Sequence, residues 1–178
     1  MSRPGAKVEV LYSAAEIAER MRLLAAAIAA GMGPDLLVVA ILKGSFIFAA
    51  DLVRALHHAG LHPQIDFMTL SSYGAGTQSS GRIAISRDVT DDVAGRQVLL
   101  IDDILESGRT LAFARDALKA RGAEVRICVL LDKPGRRKTA LEADFTGFVC
   151  PDRFVVGYGL DYAHYYRELP YIGLVEGH

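Results

Sequence analysis

The chain has 178 residues, 51% of them hydrophobic and 23% charged, with a formal net charge of −1. That is the size of one domain able to bury roughly 70% of the surface its unfolded chain exposes, and the composition argues against a disordered chain and against a nonspecific nucleic-acid binder, which would be clearly basic. Residues 1–5 lack the apolar core of a secretory signal, and Met21 to Met32, the most apolar helical stretch, is too short and Ala-rich to span a bilayer; a soluble cytoplasmic protein without a membrane partner is expected.

The first element is signalled by Ser13-Ala14-Ala15-Glu16, a capping box. Ile17, Ala18, Met21, Leu24, Ala25 and Ile28 follow at helical spacing, and Gly31 with Gly33-Pro34 ends the helix. Leu36 to Leu42 is a continuous apolar run, the mark of a strand buried on both faces. A second helix is predicted from Phe46 to His58, with a stripe of Phe46, Ala49, Ala50, Val53 and Leu56, closed by Gly60. The clustered His57, His58 and His62 read as imidazoles at a helix C-terminus rather than a zinc site, because no cysteine or further histidine lies nearby in sequence.

Gln64 to Tyr73 reads as a strand, Gly74 to Gly81 as a polar Gly-rich loop, and Arg82 to Arg87 as a half-exposed strand. Gln97 to Asp102 is a buried strand, Asp103 to Gly108 a loop, and Arg109 to Arg121 a helix ending at Gly122. Strands are predicted at Glu124 to Leu131 and Phe145 to Cys150, and a short one at Phe154 to Tyr158. Cys128 and Cys150 lie in apolar strand-like runs and are expected to be buried reduced thiols. Arg136, Arg137 and Lys138 read as a solvated face. Alternating strands and helices imply a parallel α/β sheet with right-handed crossovers, whose ligand sits beyond the carboxyl ends of the strands.

The segment Val98-Leu99-Leu100-Ile101-Asp102-Asp103-Ile104-Leu105-Glu106-Ser107-Gly108-Arg109-Thr110 carries the most chemistry. A buried strand leads into two acids, a small polar loop and a helix start. Gly108 lets the backbone approach a ligand, and amides at a helix N-terminus favour anions. Ser107 and Thr110 add hydroxyls. The segment lacks the Gly-Lys-Ser/Thr of a Walker loop. Asp102 and Asp103 would repel one another unless ribose hydroxyls or Mg²⁺ balanced them.

Four apolar residues, two acids, two apolar residues, then acid, Ser, Gly, any residue and Thr: this pattern resembles the phosphoribosyl-pyrophosphate (PRPP) signature of type I phosphoribosyltransferases. Leu42-Lys43-Gly44-Ser45, Asp66-Phe67-Met68 with Ser71-Ser72-Tyr73-Gly74, Leu131-Asp132-Lys133-Pro134 and Pro151 to Tyr162, continuing through Arg167 to Gly173, resemble its hypoxanthine-guanine branch. The likeness runs from about Leu36 to Val175.

The resemblance implies one domain over 1–178, with a mostly parallel core sheet flanked by helices (about 36–150) and a small hood from about 1–12 and 151–178. It implies transfer of phosphoribose from PRPP to hypoxanthine or guanine, giving IMP or GMP and pyrophosphate, with Mg²⁺ on Asp102, Asp103 and Asp161. Lys43, Gly44, Asp102, Asp103, Glu106, Ser107, Gly108, Arg109, Thr110 and Arg167 would hold PRPP, with a cis peptide between Leu42 and Lys43. Gly44 would leave room for the diphosphate. Ile104, Lys133, Phe154, Val155, Leu160 and Asp161 would bind the purine. Lys133 would contact its 6-oxo group, Phe154 stack on the ring, and the Val155 carbonyl take the ring donors. Ser72 and Tyr73 open a loop that would close over the reactants and exclude water. Glu106 stands where the family usually has Asp as proton acceptor near N7; the carboxylate is kept and is expected to serve as the base. A homodimer or homotetramer is implied, and no nucleic-acid partner. The rival readings are a regulatory protein on this fold that binds uridine nucleotides and RNA, an enzyme preferring xanthine, and a PRPP-making synthetase, which the chain length disfavours.

Overall fold

In the computed structural model, residues 5, 7–73 and 82–177 are described; Ser72 and Tyr73 are described only as strand backbone, and the predicted 74–81 loop lies outside these residues. The elements in chain order are β1 (Val8–Tyr12), α1 (Ala14–Gly31), β2 (Leu37–Leu42), α2 (Phe46–His58), β3 (Gln64–Tyr73), β4 (Arg82–Arg87), β5 (Gln97–Leu105), α3 (Arg109–Ala120), β6 (Glu124–Asp132), β7 (Phe145–Val149), β8 (Val155–Val156) and β9 (Ile172–Val175).

The capping box forms as read. The Ser13 amide donates to Glu16 Oε2 at 2.8 Å and the Glu16 amide to Ser13 Oγ at 3.3 Å. Helix α1 then buries Ile17, Met21, Leu24, Ala25 and Ile28. The central sheet runs β4-β3-β2-β5-β6-β7, parallel except for the β3–β4 pair, so the expected α/β class holds. Successive residues of its strands point to opposite faces. Val38, Ala40, Leu99, Ile101, Cys128 and Leu130 therefore join α1 and α2 in one apolar layer. Leu37, Val39, Val98, Leu100, Ile127 and Val129 pack with Leu111, Ala114 and Leu118 of α3 in the other. Burying each such Leu, Ile or Val side chain stabilises the fold by about 1.5–3 kcal/mol before chain entropy is counted. Cys128 and Cys150 are buried free thiols, as expected.

A second, antiparallel sheet, β1-β9-β8, joins the two ends of the chain. Several elements differ from the sequence reading, most by a single residue at one end. Strand β5 does not stop at Asp102; it continues to Leu105, because Ile104 and Leu105 stay in register with Leu131 and Asp132 of β6. The short strand predicted over Phe154 to Tyr158 contracts to Val155–Val156. Beyond it the chain turns, with positive φ at Gly157, Tyr158 and Gly159 and the Gly157 amide donating to Leu160 O at 3.0 Å. Strands β1 and β9 were not assigned from sequence at all.

Candidate active site

The carboxyl ends of β2, β5 and β6 meet at one edge of the central sheet. At the end of β2, the Leu42–Lys43 peptide is cis, as the resemblance implied. Lys43 itself is exposed. A Cβ placed on Gly44 would lie 1.7 Å from Asp103 Oδ2. What Gly44 makes room for in this structure is thus the neighbouring carboxylate, a partner the sequence did not reveal. A Cβ on Gly159 would in turn lie 2.2 Å from Gly44 O. The turn after β8 thus packs on the main chain of the β2 loop, which in turn faces the Asp103 carboxylate.

Asp102 and Asp103 lie inside β5, not beyond it. Burial pushes the Asp102 carboxyl well above the usual carboxylate range, and the charge of Asp103 pushes it further. Asp103 is also raised by burial, although the nearby Arg167 charge works the other way. The Asp103 amide donates to Asp102 Oδ1 at 3.0 Å. Two crowded, partly dehydrated carboxylates are a costly arrangement until a cation or hydroxyls arrive. Among the described residues, no cluster of three or more His, Cys, Asp or Glu side chains is arranged to hold a metal. Two adjacent hard-oxygen donors nevertheless fit Mg²⁺, which is commonly held by one or two carboxylates together with substrate phosphates.

From Asp102 the chain lines a cavity of about 230 Å³ formed by residues 102–108, Thr110 and Leu111. Gly108 caps α3 with φ +78°, a left-handed conformation that glycine adopts readily. The Arg109 amide donates to Ser107 Oγ at 3.4 Å, while the Arg109 side chain is exposed. Behind the loop lies Arg137, with 17% of its side chain exposed; its place in a solvated face is therefore corrected. It packs there because its guanidinium pairs with Asp132 at the end of β6.

Of the other named residues, Ile104 lines this cavity and Lys133 reaches its wall through Glu106. Lys133 is 5% exposed, and its ammonium donates to Glu106 Oε1 at 2.7 Å. Ile104 is half-buried on β5, beside Leu131 of β6. Val155 pairs with Leu174 in the hood sheet. Phe154 is partly exposed and meets Tyr162 edge-on at 5.5 Å between ring centres. Leu160 is buried in the core layer of α1 and α2. Arg167 donates from Nη2 to Asp161 Oδ1 at 2.6 Å and from Nη1 to Gly159 O at 2.5 Å. Asp161 Oδ2 accepts from the His164 amide at 2.8 Å, so Asp161 presently orients the arginine. Tyr158, not singled out in the sequence, donates to Asp51 of α2 at 2.5 Å, and burial pushes its phenol upward. This bond ties the hood turn to the core. His57 and His62 approach Nδ1 to Nδ1 at 3.4 Å, away from these residues in the chain, and among the described residues they belong to no cluster of three potential metal ligands.

Residues 8–163 match the family model described as the phosphoribosyl transferase domain. The chain is 49% identical over 172 residues to the hypoxanthine-guanine phosphoribosyltransferase of Streptococcus pneumoniae, covering 94% of this chain and 93% of that one. It is 48% identical over 170 residues to the bifunctional protein TilS/HprT of Listeria innocua, where the match covers 94% of this chain but spans only 26% of the relative. The fold superposes on a crystal structure of a hypoxanthine phosphoribosyltransferase from Staphylococcus aureus with a TM-score of 0.87 and 43% identity, covering 94% of this chain and 91% of that one.

Proposed function

The chain belongs to the phosphoribosyl transferase family, and from that premise we propose that it is a purine-salvage enzyme, transferring the 5-phosphoribosyl group of PRPP to hypoxanthine or guanine with release of pyrophosphate. The observation that carries the base specificity is the 2.7 Å pair between Lys133 and Glu106. N7 and O6 lie on one edge of a 6-oxopurine. A donor for O6 and a proton acceptor for N7 must therefore be neighbours, and these two groups are, at the rim of the 102–111 cavity. An adenine would set its amino group against the lysine, donor against donor, and leaving buried polar groups unpaired costs about 1–3 kcal/mol each.

In this reading the 106–110 segment holds the 5-phosphate and Asp102 and Asp103 face the ribose. Mg²⁺ would be held by Asp102, Asp103 and Asp161, and would supply charge neutralisation for the leaving group. Arg167, oriented by Asp161 and Gly159 O, meets the diphosphate with a fork that suits phosphate oxygens. The cis-linked Lys43 and Gly44 border the same ligand. Phe154 stacks on the base, the Val155 carbonyl takes its ring donors, and Ile104 and Leu160 supply apolar contact. A ring nitrogen attacks ribose C1 as diphosphate leaves, and Glu106 takes the N7 proton. Fixed charges and positioning supply most of the acceleration. Closure of the loop opened by Ser72 and Tyr73 would keep water from the cationic sugar.

The single-domain division with its two-ended hood, a cytoplasmic site of action, suited to two reduced buried thiols, and a homodimer or homotetramer belong to the same proposal. No described helix is long and apolar enough to cross a membrane. Nothing in the site favours the regulatory RNA-binding or xanthine-preferring alternatives. The test is incubation with Mg²⁺, PRPP and each of hypoxanthine, guanine, xanthine, adenine and uracil, following nucleotide formation. Product from hypoxanthine or guanine and none from adenine or uracil is expected; product chiefly from xanthine, or none at all, would overturn the reading.

A further inference from the structure

We infer that Arg137, with Thr139 and the main chain of Lys138, is a positioning element that turns the phosphate-loop amides toward their ligand. The observations concern the back of the loop, opposite the cavity. Arg137 Nη1 donates to Leu105 O at 3.2 Å and to Glu106 O at 3.0 Å. The Lys138 amide donates to Ser107 O at 3.0 Å, and Thr139 Oγ1 donates to the same carbonyl at 3.2 Å. The Lys133 amide adds a bond to Leu105 O at 2.9 Å. Three successive carbonyls are thus held by one segment, 133–139, that runs behind the loop.

The consequence follows from peptide geometry. In a planar trans peptide the C=O and the next N–H point in opposite directions. Fixing the carbonyls of Leu105, Glu106 and Ser107 rearward therefore aims the amides of Glu106, Ser107 and Gly108 forward, toward the cavity that residues 102–108 line. Arg137 is suited to the task because its rigid fork reaches two carbonyls while its other nitrogen pairs with Asp132. The packing is close: a Cβ on Gly108 would lie 2.3 Å from Thr139 Oγ1 and 3.4 Å from Arg137 Cδ. The three main-chain dipoles are thereby oriented before any anion arrives, so a ligand phosphate meets a finished cradle instead of ordering a flexible one.

This inference rests on the reading of the 106–110 segment as the 5-phosphate site, and the test separates the two. Binding of inosine 5′-monophosphate and of inosine is measured by calorimetry for the unmodified protein, Arg137→Met, Arg137→Lys and Thr139→Val. The ratio of the two affinities isolates the phosphate. We expect Arg137→Met to lower that ratio roughly tenfold, about 1.4 kcal/mol. Thr139→Val should lower it less, Arg137→Lys should fall between, and inosine affinity should stay constant throughout. Equal weakening of nucleotide and nucleoside, or an unchanged ratio, would make the segment a structural brace only and overturn the inference while leaving the site reading intact. An unmodified protein that binds inosine as tightly as its monophosphate would remove both. If Arg137→Met does not fold, Arg137→Lys and Thr139→Val carry the same comparison.

Discussion

Asp66 and Asp102 are both buried acids on the central sheet, yet the fold treats them in opposite ways. Asp66, near the amino end of β3, accepts from the Thr90 amide at 2.8 Å, the Thr90 hydroxyl at 3.0 Å and the Phe67 amide at 2.7 Å. Burial works to raise its carboxyl, but these donors win and hold it below the usual range. Asp102, toward the carboxyl end of β5, has the Asp103 amide as donor and the Asp103 charge as neighbour, and is pushed up. One acid is completed by the protein. The other is left for an external partner to complete, and it lies where a parallel sheet binds ligands.

Substitutions should divide along that line, activity on one side and stability on the other. The largest effect is expected at the ligand end. Glu106→Gln should lower kcat with hypoxanthine by about 10²–10⁴-fold, the usual worth of a general base, with little change in melting temperature; an unchanged kcat at every pH would remove Glu106 from that role. Gly44→Ala should cost on the order of 10²-fold in kcat/KM for PRPP, because the methyl group displaces Asp103 and misplacement of about 1 Å is worth that much. Intact kinetics in that variant would mean that Asp103 does not act from its present position.

At the completed acid the balance reverses. Asp66→Ala should cost about 1–3 kcal/mol of stability, since the Thr90 and Phe67 donors lose their acceptor, while steady-state kinetics at a temperature well below melting stay as they were. The smallest effect is one of pH. Asp102 has a folded pKa above its unfolded value, so its contribution to stability is present in acid and lost as pH rises through the folded value. Asp66 is the reverse: its contribution is present above the unfolded pKa and lost as pH falls through the depressed one. Thermal melts of the ligand-free protein from neutral to mildly acidic pH should therefore show Asp102→Asn removing a stabilisation that the unmodified chain gains on acidification. A variant whose pH profile matches the unmodified one would contradict the assigned burial of that acid.

Much of the frame was legible because local pattern and tertiary context agree. Leu37 to Leu42 is apolar throughout and buried on both faces, and Ser13 with Glu16 caps α1 as the capping motif requires. What escaped depends on partners distant in sequence. Strands β1 and β9 are short, and Val8 pairs with Val175 from the opposite end of the chain, which periodicity cannot supply. The acids at 102 and 103 interrupt an apolar run and so suggest a strand end, whereas pairing with β6 carries the strand on to Leu105. The glycine in Leu42-Lys43-Gly44 was visible, but the atom it makes room for was not. Arg137 sits in a run of basic residues, and only the position of Asp132 decides which of them turns inward. In the site, Lys133 and Glu106 were each named separately; their direct contact is a fact of the fold.

The seat of Gly159 against the carbonyl of Gly44 bears on how such a molecule diversifies. The hood is aligned on the core at this point through peptide groups, which every substitution elsewhere leaves in place. Side chains proposed to meet the base, such as Phe154, could then be exchanged without shifting that frame. Choice of nucleobase becomes an adjustable attachment on a fixed chassis, and libraries that vary the hood while sparing both glycines are the natural starting point for altering it.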